Sequence, residues 1–230
     1  MLQNRPREFL AATGGTRTEF EKLWPAFQAA YDQMYPSDRT LDGQARQRRP
    51  GAGAKGKLPN LADQLLFILV YQKTPPLQTM HGLHFHLSQS QTNYWLHRLW
   101  PVLHQAVRDM GQAPERDASQ VAHSPLAREG TPDLAIDGTE RRRQRPPDAT
   151  QQQAHDSGKK KTQTATNIIV VNETTSKVIY LGPTVAGTKP DKKAADEAPL
   201  CAPTNATLDK ATGCQGYEPA GVLTRQPKKN

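Results

Sequence analysis

The stretch Asp133-Leu-Ala-Ile-Asp-Gly-Thr-Glu-Arg-Arg-Arg-Gln-Arg-Pro146 decides how the second half of this chain is read. Leu134, Ala135 and Ile136 form an apolar run that predicts a short buried strand. The strand delivers one acid, Asp137, to its end, where a sheet meets solvent. A metal-binding carboxylate commonly sits at such a place. Gly138 follows, then Arg141, Arg142, Arg143 and Arg145, so positive charge stands next to the acid and suits phosphodiester chemistry. The same residues also read as an Asp-Gly turn after an ordinary strand, with solvated arginines. On this stretch alone both readings stand.

Downstream the hydrophobic period stays strand-like. Thr162-Gln-Thr-Ala-Thr-Asn-Ile-Ile-Val-Val-Asn172 predicts a second strand and Lys177-Val-Ile-Tyr-Leu-Gly-Pro-Thr-Val185 a third, with Glu173-Thr-Thr-Ser176 as the hairpin connection. Asp191-Lys-Lys-Ala-Ala-Asp-Glu197 predicts a short charged helix, and the tail from Pro199 has little periodicity. A strand carrying an acid, then a hairpin, then a helix is how an RNase H-like nuclease core begins. The fold class expected for 133–230 is therefore a partial RNase H-like α/β domain, lacking its C-terminal part.

Upstream the chain reads as helical. Phe20, Leu23, Trp24, Phe27, Tyr31 and Met34 recur at helical spacing, which predicts an amphipathic helix over 16–35, bent at Pro25. Residues 36–59 are a Pro/Gly/Arg-rich linker, so 1–59 reads as one helix and a basic arm. Asn60 is placed to cap a helix over Leu61–Lys73, which Thr74-Pro-Pro76 stops. A short helix over 77–84 and a helix capped by Ser88 complete a helix-turn-helix pattern over 60–107. In that pattern Ser90, Gln91, Thr92 and Asn93 face base edges, while Tyr94, Leu96, Leu99 and Leu103 are packing residues. Any three-helix bundle offers a similar pattern. Residues 108–132, polar and broken by Pro and Gly, read as a linker.

Composition narrows the partners. The 230 residues carry a formal net charge of +8 with 6% aromatic residues, a pI near 9.6 and a mean hydropathy of -0.76. Such a chain favours a polyanion, nucleic acid before membrane. No apolar run approaches the roughly 18 residues of a membrane span, and no signal-peptide core opens the chain. Cys201 and Cys214 have neither zinc-ligand spacing nor a disulfide framework around them. The expected location is intracellular.

Among the acids, Asp137, Asp191, Asp196 and Glu197 are candidates for holding divalent ions, because Mg²⁺ takes carboxylate oxygen and water. Asp191 also reads as an ordinary acid at a helix start, and Asp196 and Glu197 as a solvated helix end. His81, His84 and His86 straddle a helix and a turn with no cysteine or acid near, which favours surface or packing roles. Ser157-Gly-Lys-Lys-Lys161 lacks the spacing of a phosphate loop. It reads either as a basic turn on a nucleic-acid backbone, through Lys159, Lys160 and Lys161, or as a solvated lysine run.

Several blocks together resemble a known family. Residues 61–107 look like the helix-turn-helix near the N-terminus of bacterial insertion-sequence transposases of the DDE superfamily, the Harbinger-related type. Ile136-Asp-Gly-Thr-Glu140, Gln144-Arg-Pro146, Ser157-Gly-Lys-Lys-Lys161 and Asp191-Lys-Lys-x-x-Asp-Glu197 are similar to the start of that family's catalytic domain, and Gly213-x-Gln-Gly-Tyr-Glu-Pro219 and Gln226-Pro-Lys-Lys229 to its continuation. The blocks keep the family's order over about 60–230. The resemblance implies a transposase that binds terminal inverted repeats, uses Mg²⁺ or Mn²⁺, and acts as a homo-oligomer on DNA in the bacterial cytoplasm, away from membranes. It implies Asp137 as first acid of the DDE triad and Asp191 as a second metal ligand. It also carries Arg98, Arg141, Arg142 and Arg143 over as DNA contacts, with Ser90, Gln91, Thr92, Asn93 and the lysines at 159–161.

Two departures matter. The family has His-Asp where this chain has Pro190-Asp191, and an acid where this chain has Ala211. Which position supplies the second catalytic acid stays open. The third acid, a glutamate on a later helix, is expected beyond Lys229, and the sequence stops at Asn230. The resemblance thus fits an upstream product of a frameshifted gene with a downstream-frame partner polypeptide, a decayed copy or a fragment. A DNA-binding protein that does not cut, and represses transposition, is the alternative.

Overall fold

The computed structural model describes residues 5–39, 43–45, 57–128, 133–158 and 160–226. The chain divides into two compact units, Met1–Met110 and Gly111–Asn230. Helices and a mixed β-sheet together give a mixed α/β class.

The first unit is helical. Helix α1 spans Pro6–Thr13 and ends on Gly14 at φ 76°. Helix α2 spans Arg17–Met34 and runs through Pro25. Thr16 and Glu19 form a reciprocal capping box at its start, which satisfies two backbone N–H groups. Helix α3 spans Leu61–Lys73. Asn60 stands before it in extended conformation, but makes no side-chain cap and instead donates to Asp63 Oδ2 at 3.3 Å. Helix α4 spans Gln78–His84, and α5 spans Gln89–Asp109 behind a Ser88–Gln91 capping box.

Phe27 and Ala30 of α2 share one core with Leu65, Phe67 and Ile68 of α3 and Leu96, Leu99, Val102, Leu103 and Ala106 of α5. The N-terminal region is therefore part of this unit, and Leu58, read as linker, is buried in the same core. Most of the linker's basic arm, 46–56, lies outside the described residues. His81 is 1% exposed and packs on Phe67, Tyr71 and Phe85, with Nε2 at 3.2 Å from Phe67 O. Burial pushes its pKa down. Gly82 is required by close approach: a Cβ there would stand 2.6 Å from both Leu87 O and Thr92 Oγ1. Backbone contact at this point sets α4 against the start of α5.

The second unit is built on a seven-stranded sheet. Strand β1 spans Asp133–Arg142, β2 Asp156–Ser157, β3 Thr162–Asn172, β4 Lys177–Leu181, β5 Val185–Ala186, β6 Thr207–Lys210 and β7 Leu223–Arg225. The path runs β2-β3-β1-β6-β7, with β4 and β5 also pairing β3. β1 is antiparallel to β3 and parallel to β6, and β7 is parallel to β6. The hairpin at 173–176 forms as expected, with Ser176 at φ 55°. The third strand breaks after Leu181 and resumes at Val185, and the tail without periodicity supplies β6 and β7. Helices α6 (Pro125–Arg128), α7 (Ala149–His155) and α8 (Asp191–Asp196) complete the unit.

The described part of the expected linker, 108–128, is not a bare connector. Arg108 and Asp109 finish α5, and Ala118, Val121, Leu126 and Ala127 join the core of Leu134, Ile136, Ile168, Val170, Ile179 and Leu208. Glu115 also bridges Tyr180 of β4. The short apolar spacing hid this, because a 3-10 turn over Ala118–His123 and a four-residue helix show no helical period. Burying Leu134 and Ile136 contributes about 1.5–3 kcal/mol each. A one-residue slip would reverse both and bury Asp137, so the register is held.

Candidate active site around Gly138

Asp137 is not at the strand end. It is the fifth of ten residues in β1, which continues to Arg142 opposite β3. The end that matters belongs to the neighbour: β6 pairs β1 only as far as Ile136 and Lys210, and Ala211 N then donates to Ile136 O at 3.1 Å. On that edge the next backbone donor is Gly138 N–H, since edges alternate along a strand. Asp137 Oδ1 accepts it at 2.7 Å. The acid therefore sits, exposed, in the gap that β6 leaves.

Asp191, first residue of α8, reaches the same glycine from a sheet face. A Cβ on Gly138 would overlap the Asp191 carboxylate, and so would a Cβ on Gly213, in the 3-10 turn Thr212–Cys214 after β6. Two glycines from distant parts of the chain thus form a slot that only a missing side chain leaves open. Buried Cys214 completes it. Burial pushes its thiol up to about 11, and the Asp191 and Asp137 charges add to the rise. That coupling places both carboxylates within electrostatic reach of one sulfur.

The two acids open to different clefts. Asp137 lines a cleft of about 580 Å³ with Asp209, Ala211 and Arg225. Asp191 lines one of about 460 Å³ with Glu140, Ser157, Lys160, Thr166 and Thr188. Arg225 is tied to Asp209 at 2.5 Å and to Asp133 at 3.1 Å, which leaves Asp137 outside that ion-pair group. Buried Lys210 is held by Tyr217 O, Glu218 and Thr224 and so does not reach the acid either.

Among the described residues no group of three His, Cys, Asp or Glu side chains is arranged to hold a metal. Each of the two carboxylates, in its own cleft, is a donor of the kind Mg²⁺ takes together with water and substrate phosphate. Asp196 and Glu197 take no part: Asp196 pairs with Lys192 at 2.6 Å, and Glu197 pairs with Lys189.

The basic residues are mostly engaged. Arg141 donates to Asn167 Oδ1 at 2.8 Å, and Arg143 to His155 Nε2 at 2.6 Å. Arg142 is exposed, as are Lys160 at the turn before β3 and Arg145. Lys161 has φ 50°. Lys159 lies outside the described residues.

At the start of α5, Ser90 and Gln91 are exposed and Asn93 half-buried. Gln91 also closes the capping box, through Oε1 accepting Ser88 N–H at 3.0 Å. Thr92 cannot face a base: it is buried, and its hydroxyl donates to Ser88 O at 2.9 Å. Tyr94 is 56% exposed rather than packed. Arg98 lies over the Tyr35 ring at 3.6 Å and donates to Tyr31 Oη at 3.0 Å, so its charge is held against aromatics.

Sequence reasoning gave Gly213 and Cys214 no part in the site, and read Gly138 either as following a strand-end acid or as part of a turn. The signal available was small residues beside both candidate acid positions. Comparison with protein-family models, curated proteins and solved structures finds no match for this chain. No described helix is long and apolar enough to cross a membrane.

Proposed function

We propose that this chain acts on DNA as an insertion-sequence transposase, or as the upstream part of one, with the first unit engaging terminal inverted repeats and the second carrying an RNase H-like core. The observation that carries this reading is the meeting of Asp137 and Asp191 at Gly138. An acid-bearing strand, an antiparallel hairpin, a helix and a strand returning parallel to the first support it, because an RNase H-like core begins in that order. Asp137 and Asp191 would hold Mg²⁺ or Mn²⁺, which when bound supplies Lewis-acid activation of a phosphodiester. In the first unit, α3, α4 and α5 form the helix-turn-helix of this reading. Gln89, Ser90, Asn93 and Tyr94 then replace Thr92 as the side chains available to bases. A second copy on DNA and a downstream-frame polypeptide are partners within the same proposal, in the bacterial cytoplasm.

A second reading has its own observation. Ala211 stands just past the end of β6, hydrogen-bonded to Ile136 beside Asp137, where an acid would close the site. Under this reading the chain occupies DNA without cutting it and represses transposition. Two measurements separate the readings. Anisotropy with labelled duplex DNA should show binding that weakens by orders of magnitude between 50 and 200 mM salt. No binding even at low salt would sink both. Strand cleavage with Mg²⁺ or Mn²⁺ that disappears in Asp137→Ala would establish an active transposase, and binding without cleavage would leave the upstream part of one or the repressor.

A further inference from the structure

Resting on the DNA-binding reading, we infer that residues 147–155 form a polar strap that engages the exposed Arg143 and Arg145 and is displaced when a phosphodiester backbone takes those arginines. Helix α7 buries none of its residues. Its sequence, Ala-Thr-Gln-Gln-Gln-Ala-His, offers no large apolar side chain to any core, and seven residues are far too few for a helix to persist on propensity alone. Polar contacts hold it. Arg145 Nε and Nη2 donate to Gln152 Oε1 at 2.9 and 2.7 Å, and Gln152 Nε2 donates to Pro146 O at 2.8 Å. Thr188 Oγ1 donates to Ala154 O at 2.7 Å. His155 Nδ1 lies 2.9 Å from Thr164 O, which can only accept, so Nδ1 carries the proton. Nε2 then accepts from Arg143 at 2.6 Å.

Both guanidinium groups are thus bound to neutral acceptors, an amide and an imidazole. A phosphate oxygen carries a full negative charge and adds a Coulombic attraction for each guanidinium that an amide oxygen or an imidazole nitrogen lacks. A polyanion therefore outcompetes Gln152 and His155 for Arg145 and Arg143, and the strap loses two of its clasps. The consequence reaches the site. The strap, then held only through Thr188 and Thr164, runs directly into Asp156 and Ser157, which line the Asp191 cleft, and Thr188 lines it too. Release of α7 widens the approach to Asp191, so backbone binding and site access are coupled.

The test combines anisotropy with a labelled duplex and hydrogen exchange of the amides of 151–155. The double variant Gln152→Ala, His155→Ala should bind about threefold to tenfold more tightly, since it frees both arginines. Gln152→Glu, which puts a carboxylate on Arg145, should bind more weakly. Duplex should remove exchange protection from α7 of the unaltered protein. Unchanged or weaker binding by a double variant with native circular dichroism, or α7 protection that survives in the complex, overturns the strap while leaving DNA binding intact. If the unaltered protein binds no duplex at low salt, the DNA-binding reading fails and the strap with it.

Discussion

Gly138 carries more structural demand than any acid near it. Its N–H satisfies Asp137 and its bare Cα admits Asp191, and the bare Cα of Gly213 admits Asp191 too. Gly138→Ala should cost about 1–3 kcal/mol, because a methyl group would have to displace a carboxylate. Asp191→Ala in the same chain should recover most of that loss, because the clash partner is gone. Urea unfolding of the four proteins of the cycle measures the coupling, and additive losses would refute the slot. Cys214 gives a second readout. Its thiol is raised from near 9 to about 11, so folding favours the protonated form. The stability attached to that proton is complete below about pH 9 and is lost as pH rises toward 11. A thiol reagent at pH 8 should label exposed Cys201 quickly and Cys214 only on unfolding. Fast labelling of both would show that the Cys214 sulfur is not buried. At this scale the sequence pointed to an acid after Ile136. It could not show Gly138 and Gly213 as one slot, because 75 residues separate them and only folding closes that distance.

Elements were legible where an element's own residues specify it. The Ser88 cap, α5, the long strand β3 and the 173–176 turn follow from capping chemistry and period, which are local. Ser88→Ala should cost about 1 kcal/mol, read as a lowered thermal midpoint of the first unit, and Ser88→Asp should restore it. Gly82→Ala should cost at least as much, because its Cβ would meet backbone at Leu87 as well as Thr92. Equal stability of Gly82→Ala and the parent would mean that α4 does not press on α5 as described. The short pieces failed for a physical reason. β6, β7, α6 and the 3-10 turn are three to six residues long, too short to display a period, and neighbours from elsewhere in the chain stabilise them. The same cause explains Tyr94 and Thr92. Period alone places both near a boundary of the helix face, and the approach of Gly82 decides that Thr92 is inside.

At the scale of the molecule, two cores with no shared residue imply two units that fold separately. Fragments 1–110 and 111–230 should each give a cooperative melt by circular dichroism. A non-cooperative 1–110 fragment would refute independent folding. The sequence by itself determined the basic charge, the helical first half, the strand-rich second half and the acid in β1, because composition and hydrophobic period act through each residue's own neighbours. Only the tertiary structure decided that residues 108–128 serve the two units and not a linker. It alone set Asp191 beside Asp137 and placed Ala211 where β6 ends. Those are facts of strand pairing and close packing between segments far apart in the chain, and no local pattern encodes them.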